Sequence, residues 1–290
     1  MNIHSLLDSF TISLSALLLP KSKFFRDSIE SSSFSEHLQG INLLLPEIKQ
    51  EGQYEVKAET LIGVLNPAFR IAQWKGKEYP TIIYHHGSGE NPYDRSFNSI
   101  FPVKKIDIPA NLIVIRAPFN RSAKEYMTSI KELSNFVAML SVSVKLIEQL
   151  ISCCRERGTS CIIVSGISLG GWVTNLHHTY FNNADYYKPL MAGAGLAEVF
   201  INSVYEKLTA PPAKENPEQV RKILNFDDDF AKVDNSNVFP LLGKYDRIIR
   251  FERQKQCYNE KLITVLEKGH ITGALAYKKL REHILKNMEE

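Results

Sequence analysis

Short runs of apolar residues alternate along the chain with stretches in which apolar residues recur every three or four positions. The apolar runs at residues 81–84 (TIIY), 111–116 (NLIVIR) and 161–165 (CIIVS) have the length of buried strands. Between the last two, residues 122–157 keep helical spacing, which predicts one long helix or two adjoining helices. This alternation predicts an α/β fold, with a mostly parallel central sheet flanked by helices on both faces.

The same alternation continues beyond these runs. Further strands are predicted at residues 54–65, 189–194, 238–242 and 262–266, and further helices at residues 172–181, at 251–258 and from about 272 onward. Residues 196–237 break the pattern with short helical pieces and the acidic run at 227–229. We expect this insertion before the late strands to be either a small lid or ordinary surface helices.

The first 18 residues predict an amphipathic helix, because apolar side chains recur at three- and four-residue steps: Ile3, Leu6, Leu7, Phe10, Leu14, Leu17 and Leu18. Residues 11–20 have the apolar character of a signal peptide, but Asp8 and the lack of a preceding Lys or Arg argue against one. We expect residues 1–50 to be a helical segment packed on a domain of residues 51–290. The alternative is a helix that contacts a membrane surface or a partner.

Composition narrows the class of protein. With 290 residues, 44% of them hydrophobic and 23% charged, the chain can bury a large core as one globular domain. The net charge of +3 is too small to indicate a nucleic-acid surface. Four cysteines without metal-ligand spacing predict free thiols in the cytoplasm, and no apolar run approaches the about 20 residues of a membrane span.

A serine lies between two glycines directly after the apolar run at residues 161–165. Gly166-Ile167-Ser168-Leu169-Gly170 matches the pattern G-x-S-x-G, between a predicted strand and a predicted helix. A serine at the tip of such a sharp turn has strained backbone angles, and side chains two positions away would collide with the strand and helix. Glycine at positions 166 and 170 removes those collisions, so the pattern predicts an exposed, nucleophilic hydroxyl on Ser168.

With this motif in its strand–turn–helix context, the chain from about Tyr54 to the C-terminus resembles the α/β-hydrolase family. The resemblance implies an acid after a late strand and a histidine after the last strand. Asp246 follows the predicted strand at 238–242 and His270 follows the one at 262–266, so both match those positions. Asp246 could instead cap the next helix, and His270 could be an ordinary loop histidine.

Other acids and histidines match those positions less well. The acids of the insertion have no strand before them, so a solvated loop suits them better: Asp227, Asp228, Asp229 and Asp234. Three histidines fall inside predicted helices, where packing is the simpler interpretation: His177, His178 and His283.

A glycine-containing loop, HHGSGE at residues 85–90, follows the strand at 81–84. In the family that this chain resembles, the loop at this position and the residue after the serine donate backbone amides to the oxyanion of the intermediate. The resemblance therefore implies the amide of Leu169 together with that of Ser88 or Gly89, in a turn that contains Gly87.

Further side chains near these motifs have two interpretations each. We expect His86 to brace the loop and His85 to be buried scaffold or pocket wall. Arg116 and Arg121 could meet an acidic substrate or make surface ion pairs. Aromatic side chains could line an acyl or alcohol pocket or lie in the core: Tyr93, Phe119, Trp172, Phe200 and Tyr205.

The resemblance implies a serine hydrolase that acts on a small acyl substrate, with Ser168 as nucleophile, His270 as base and Asp246 as the orienting acid. We favour a carboxylic ester hydrolase that needs no metal or organic cofactor. Thioesterase, peptidase and acyltransferase share this machinery, and a non-catalytic binding protein shares the fold, so these remain alternatives. The loop and short insertion are also similar to dienelactone-hydrolase-type enzymes, which have cysteine where this chain has Ser168.

Overall fold

The computed structural model describes residues 2–18 and 20–286. The strands are β1 (Asn42–Leu44), β2 (Gly52–Glu55), β3 (Lys57–Thr60), β4 (Gly63–Leu65), β5 (Ala68–Gln73), β6 (Thr81–His85), β7 (Asn111–Arg116), β8 (Ile162–Ile167), β9 (Tyr186–Leu190), β10 (Leu241–Gly243) and β11 (Thr264–Leu266). The α-helices are α1 (Ile3–Leu18), α2 (Phe34–Gln39), α3 (Arg95–Ile100), α4 (Ala123–Ser129), α5 (Leu133–Glu156), α6 (Leu169–Tyr180), α7 (Ala197–Ile201), α8 (Pro211–Glu215), α9 (Pro217–Leu224), α10 (Asp227–Phe230), α11 (Phe251–Gln254), α12 (His270–Ala274) and α13 (Tyr277–Leu285). Short 3₁₀ helices cover Val204–Leu208, Lys255–Cys257 and Glu260–Leu262.

A sheet of eight strands forms the centre of the molecule, in the order β11-β10-β9-β8-β6-β7-β5-β2. Within the six strands from β11 to β7, each strand is parallel to the next. β5 pairs antiparallel with β7, and β2 pairs antiparallel with β5. The predicted mostly parallel sheet is therefore confirmed, with two antiparallel pairings at one end.

Helices cover both faces of this sheet. Successive side chains of a strand point to opposite faces, so each central strand contributes to two apolar clusters. In β6, Ile82 and Tyr84 pack in one cluster with residues of α3 and α13. Ile83 points the other way and joins the cluster that contains the apolar residues of α5 and α6. Every residue of β6, β7 and β8 is buried, which explains why these strands read as continuous apolar runs.

Several predicted boundaries are wrong for local reasons. The single strand predicted at 54–65 is three strands, because the chain turns between Thr60 and Gly63, where Gly63 has a φ of +106°. β9 begins before the predicted range 189–194 and ends inside it, since Met191 has a φ of +51° directly after the strand ends. β1 and β5 were not predicted. Residues 122–157 form two helices, which is one of the two predicted alternatives.

Helix α5 is the one described helix with the length and apolar content of a membrane span. Its most apolar 18-residue window has a mean hydropathy of 1.6, so the expectation that no segment approaches such a span is wrong. Within this structure 72% of that window is buried, and α5 is a core helix that packs against α2 and α6.

Helix α1 forms as predicted, but its apolar stripe faces outward. Asp8 and Ile12 are its buried residues, and it lies against the 3₁₀ helix Val204–Leu208 and α12. The large apolar side chains of the stripe are all more than 40% exposed: Ile3, Leu6, Leu7, Phe10, Leu14, Leu17 and Leu18. The face that contacts the rest of the molecule therefore centres on a carboxylate.

Candidate active site

The turn between β8 and α6 holds Ser168 in a strained backbone conformation. Its φ of +54° and ψ of −112° lie outside the regions that non-glycine residues favour. A Cβ on Gly166 would lie 2.4 Å from the Gly170 carbonyl oxygen, and one on Gly170 would lie 2.1 Å from the His85 carbonyl oxygen. Both positions thus require glycine, as the sequence motif predicts.

Three side chains from separate loops meet above this turn. The Ser168 Oγ lies 3.1 Å from Nε2 of His270, and Nδ1 of His270 lies 2.7 Å from Oδ2 of Asp246. The other oxygen of Asp246, Oδ1, accepts backbone N–H bonds from Ile248 at 2.8 Å and Ile249 at 2.7 Å. Asp246 is therefore held by its own loop and directs its free oxygen at the imidazole.

The carboxylate fixes the tautomer of His270. Because Asp246 accepts from Nδ1, that nitrogen carries the proton, and Nε2 is left as the acceptor for the Ser168 hydroxyl. Burial disfavours a charged imidazole, but the carboxylates of Asp246 and Asp8 outweigh it and raise the pKa of His270 above its ordinary value.

The loop after β6 is braced from several directions. Ala117 donates its backbone N–H to Nε2 of His86 at 3.1 Å, so the proton of His86 lies on Nδ1, which donates to the Gly87 carbonyl at 2.6 Å. Burial lowers the pKa of His86 to about 4, which keeps this ring neutral. Glu90 accepts the Gly87 N–H at 3.3 Å. His86 therefore braces the loop as predicted.

His85 belongs to the buried scaffold. Its Nδ1 lies 2.9 Å from the His86 carbonyl oxygen and its Nε2 lies 3.0 Å from Oγ of Ser143 in α5. The side chain is fully buried, and it does not line the cavity beside Ser168.

Ser88 and Gly89 differ in their position relative to Ser168. Ser88 lines the same cavity as Ser168 and Leu169, and its hydroxyl contacts the Tyr126 hydroxyl. Gly89 has a φ of +61°, and a Cβ there would lie 3.0 Å from the ring of Tyr126, so Gly89 packs against that ring. In the described part of the chain, the backbone amides of Ser88 and Leu169 have no protein acceptor.

A cavity of about 450 Å³ opens beside Ser168. Its wall is mostly apolar and comes from α1 and the segment after it, α5, α6, the insertion and the loop after β10. It includes Ile12, Phe24, Phe136, Trp172, Val199, Phe200, Tyr205 and Ile249. Glu90, Arg95 and Ser96 give the wall a polar section. Such a cavity can take an apolar group several carbons long, close to the serine and histidine.

Some residues that the sequence offered as pocket candidates lie elsewhere. Arg116 is paired with Glu55 at 2.6 Å, Arg121 is paired with Glu125 at 2.6 Å, and neither lines the cavity beside Ser168. Tyr93 is buried in the apolar cluster with α3 and α13. Of the five aromatic candidates, three line the cavity: Trp172, Phe200 and Tyr205.

Several of the remaining acids and histidines have structural partners. Asp227 pairs with Arg253 at 2.8 Å, and Asp229 pairs with Lys232 at 2.8 Å. His177 is fully buried, with its Nδ1 3.0 Å from the Tyr187 hydroxyl. Within residues 2–18 and 20–286, no three His, Cys, Asp or Glu side chains are grouped to hold a metal ion.

Sequence reasoning missed the contribution of α1 to the site. Ile12 lines the cavity, and both carboxylate oxygens of Asp8 accept backbone N–H bonds from the loops that carry Asp246 and His270. The one signal in the sequence is that Asp8 is the only acid of this helix, which by itself argues only against a signal peptide.

The architecture is that of several solved hydrolases. No family model and no curated protein sequence matches this chain. Acylaminoacyl peptidase from Pyrococcus horikoshii superposes with a TM-score of 0.56 and 14% identity, over 84% of this chain and 42% of the peptidase. Acetyl xylan esterase 1 from Thermoanaerobacterium sp. superposes with a TM-score of 0.52 and 13% identity, over 86% of this chain and 90% of the esterase. The chain has the α/β-hydrolase fold.

A third structure of this fold covers most of both chains. Est1E from Butyrivibrio proteoclasticus, solved with ferulic acid bound, has a TM-score of 0.54 and 13% identity, over 78% of this chain and 96% of Est1E. The present chain spans about two fifths of the peptidase and nearly the whole of the other two proteins. Within this fold, the serine turn follows β8, and the loops with Asp246 and His270 follow β10 and β11.

Proposed function

We propose that this protein is a serine hydrolase that cleaves carboxylic esters through an acyl-enzyme. The observation that carries the proposal is the chain of hydrogen bonds from Ser168 through His270 to Asp246, at the edge of an apolar cavity. The solved hydrolases of the same fold support the general reaction class.

In the first half of the reaction, Nε2 of His270 takes the Ser168 proton as Oγ forms a bond to the acyl carbon. The carbonyl electron pair moves onto oxygen, then returns as the bond to the alcohol oxygen breaks. The imidazolium passes its proton to the departing alcohol. Asp246 keeps the proton on Nδ1 throughout and stabilises the charged ring, so Nε2 stays directed at the serine.

In the second half, water replaces the alcohol and His270 takes a proton from it. The hydroxyl attacks the acyl carbon, the bond to Ser168 Oγ breaks, and the proton returns to that oxygen. The products are a carboxylic acid and the free enzyme. No step in this cycle needs an oxidant, a reductant or a second substrate other than water.

The amides of Leu169 and Ser88 are the oxyanion donors in this proposal. Both residues line the cavity with Ser168, and neither amide is taken by another group of the described protein. Gly89 is the weaker candidate, because it does not line the cavity beside Ser168. Preorganised amides of this kind stabilise the charge that develops on the carbonyl oxygen.

An ester substrate suits the cavity better than a peptide does. The wall around Ser168 is mostly apolar, and both arginines that the sequence offered for an acidic substrate lie outside it. Among the similar structures, the acetyl xylan esterase is covered over 90% of its length, whereas the peptidase is covered over 42%. Thioesterase and acyltransferase activity use the same residues and remain alternatives.

Hydrolysis of p-nitrophenyl esters from acetate to dodecanoate tests this function. We expect saturable turnover with the highest kcat/KM at acyl chains that fill the cavity, and a loss of about a thousandfold or more in kcat for Ser168→Ala. Ser165→Ala removes a buried hydroxyl from the same strand and serves as the matched control. Equal turnover by wild type and Ser168→Ala would refute the proposal.

A further inference from the structure

The inner face of α1 is polar where it meets the site. Ser5, Asp8 and Ile12 lie three and four residues apart, so they share one side of the helix. Oγ of Ser5 donates to the Tyr245 carbonyl at 2.9 Å, and the ring of His4 stacks on Tyr245. This side of α1 thus contacts the loop that carries Asp246.

Asp8 joins the acid loop to the histidine loop. Its Oδ2 accepts the N–H of Arg247 at 3.1 Å and the N–H of His270 at 2.8 Å, while its Oδ1 accepts the N–H of Ile271 at 2.9 Å. Arg247 directly follows Asp246 in sequence. One carboxylate therefore holds the backbone next to the proposed acid and the backbone of the proposed base.

The cost of burying this carboxylate is offset by the three amides. Asp8 is 0% exposed, and an unpaired buried carboxylate would be strongly destabilising. His270 and Ile271 are the first two residues of α12, whose N–H groups have no partner within the helix and favour a negative charge. The Asp8 carboxylate lies on the face of α1 opposite the apolar stripe. Because the carboxylate is turned inward, the stripe is turned outward.

Gly269 permits the close approach of α1 to the histidine loop. A Cβ at this position would lie 2.7 Å from Oδ2 of Asp8 and 2.9 Å from the His4 carbonyl oxygen. A side chain on Gly269, the residue before the proposed base, would therefore collide with α1.

We propose that Asp8 is a positioning residue, which from α1 fixes the loops of Asp246 and His270 so that the imidazole spans Asp246 and Ser168. This inference rests on the proposed hydrolase function. The ionised groups that act on His270 are Asp246, from the loop after β10, and Asp8, from α1. Asp8 touches neither Ser168 nor the cavity where substrate binds, so its effect passes through the two loops and through its charge.

The variant Asp8→Asn keeps the size of the side chain and removes its charge. Its amide NH2 group replaces one carboxylate oxygen and faces a backbone donor, so at least one of the three hydrogen bonds is lost. We expect kcat to fall about tenfold or more with little change in KM, and the acid limb of the kcat/KM profile to move to lower pH. Phe10→Asn places the same residue on the outer face of α1, where Phe10 is 65% exposed, and should match wild type in both measurements.

Two features of the test separate a positioning role from a merely structural one. The midpoint of the pH profile does not depend on how much of the protein is folded, so partial misfolding of Asp8→Asn would lower kcat without moving the midpoint. An unchanged midpoint would overturn the proposal.

NMR titration of the His270 ring, assigned with His270→Gln, gives its pKa without turnover, and a lower value in Asp8→Asn is expected. This readout stands even if wild type cleaves none of the esters, which would refute the proposed function alone.

Discussion

His270 is the residue on which the proposed chemistry depends. It lies between a buried carboxylate on Nδ1 and a serine hydroxyl on Nε2, with a second carboxylate at its backbone N–H. A proton on Nε2 would prevent the imidazole from acting as a base. The pKa of His270 therefore decides the pH range in which the proposed reaction can proceed.

We predict that kcat/KM falls as the pH is lowered through the pKa of His270. Because that pKa is raised, the midpoint should lie above the value of about 6.5 of an ordinary histidine. Asp246→Asn removes a charge that favours the imidazolium, so its midpoint should lie at lower pH and its kcat should fall steeply. Asp228→Asn, an exposed acid in the insertion, is the control. A midpoint unaffected by Asp246→Asn, measured with a soluble ester, would contradict this assignment.

At the scale of single residues, the sequence alone identifies those whose structural role leaves a recognisable pattern in the neighbouring residues. Ser168 could be found because its turn excludes side chains at two fixed positions, and Asp246 and His270 because each follows a late strand. Asp8 could not be found, since its partners lie 239 to 263 positions away and no local pattern marks them. The proposed preference for Ser88 over Gly89 also needed the lining of the cavity, which includes Ser88.

Among the elements, the turn from β8 into α6 packs directly against the end of β6. Gly170 lies so close to β6 that its Cα is in contact with the backbone of His85, which begins the loop of the proposed oxyanion donors. Strand, turn and loop thus fix one another. The position of Ser168 relative to Ser88 follows from this contact.

We predict that Gly170→Ala lowers the free energy of unfolding by about 2 kcal/mol or more, because its Cβ would lie 2.1 Å from a backbone oxygen that cannot move freely. Gly87→Ala is the matched control for stability, since its Cβ would meet its nearest neighbour at an ordinary 3.6 Å. Its unfolding free energy should change by less than about 0.5 kcal/mol. Urea denaturation followed by circular dichroism measures both, and equal stabilities would refute the packing argument.

Element prediction succeeded where burial makes a strand continuously apolar. β7 matches its predicted range residue for residue, and β6 differs by one residue. β5 was missed because Arg70 and Gln73 interrupt its apolar pattern, as expected near the end of the sheet, where the strand is partly exposed. The hairpin of β3 and β4 was missed because its turn, at Leu61 and Ile62, is itself apolar.

On the scale of the whole molecule, helix α1 has two distinct faces. The inner face joins the acid and histidine loops, and the outer face exposes seven large apolar side chains. The amphipathic spacing predicts the helix but not which face is turned inward, because three hydrogen bonds to distant amides decide that. Contact of the outer face with a membrane surface stays a prediction, as does movement of the insertion as a lid.

The topology of the sheet brings the remaining parts of the site together. β6, β8, β10 and β11 are parallel, so the loops at their carboxyl ends all lie at one edge, although they are far apart in sequence. The alternation of strands and helices predicted this arrangement. The shape and wall of the cavity could not be predicted, since Ile12, Phe24 and Phe136 reach it from three separate segments.

Labelling of the purified protein with a fluorophosphonate, followed by mass spectrometry of its peptides, tests the central claim most directly. The account predicts a stoichiometric adduct on Ser168, absent in Ser168→Ala and formed at least about a hundredfold more slowly in His270→Ala, because the reagent reacts only with an activated serine. Failure of the folded protein to form an adduct, or equal labelling of a serine other than Ser168, would contradict it.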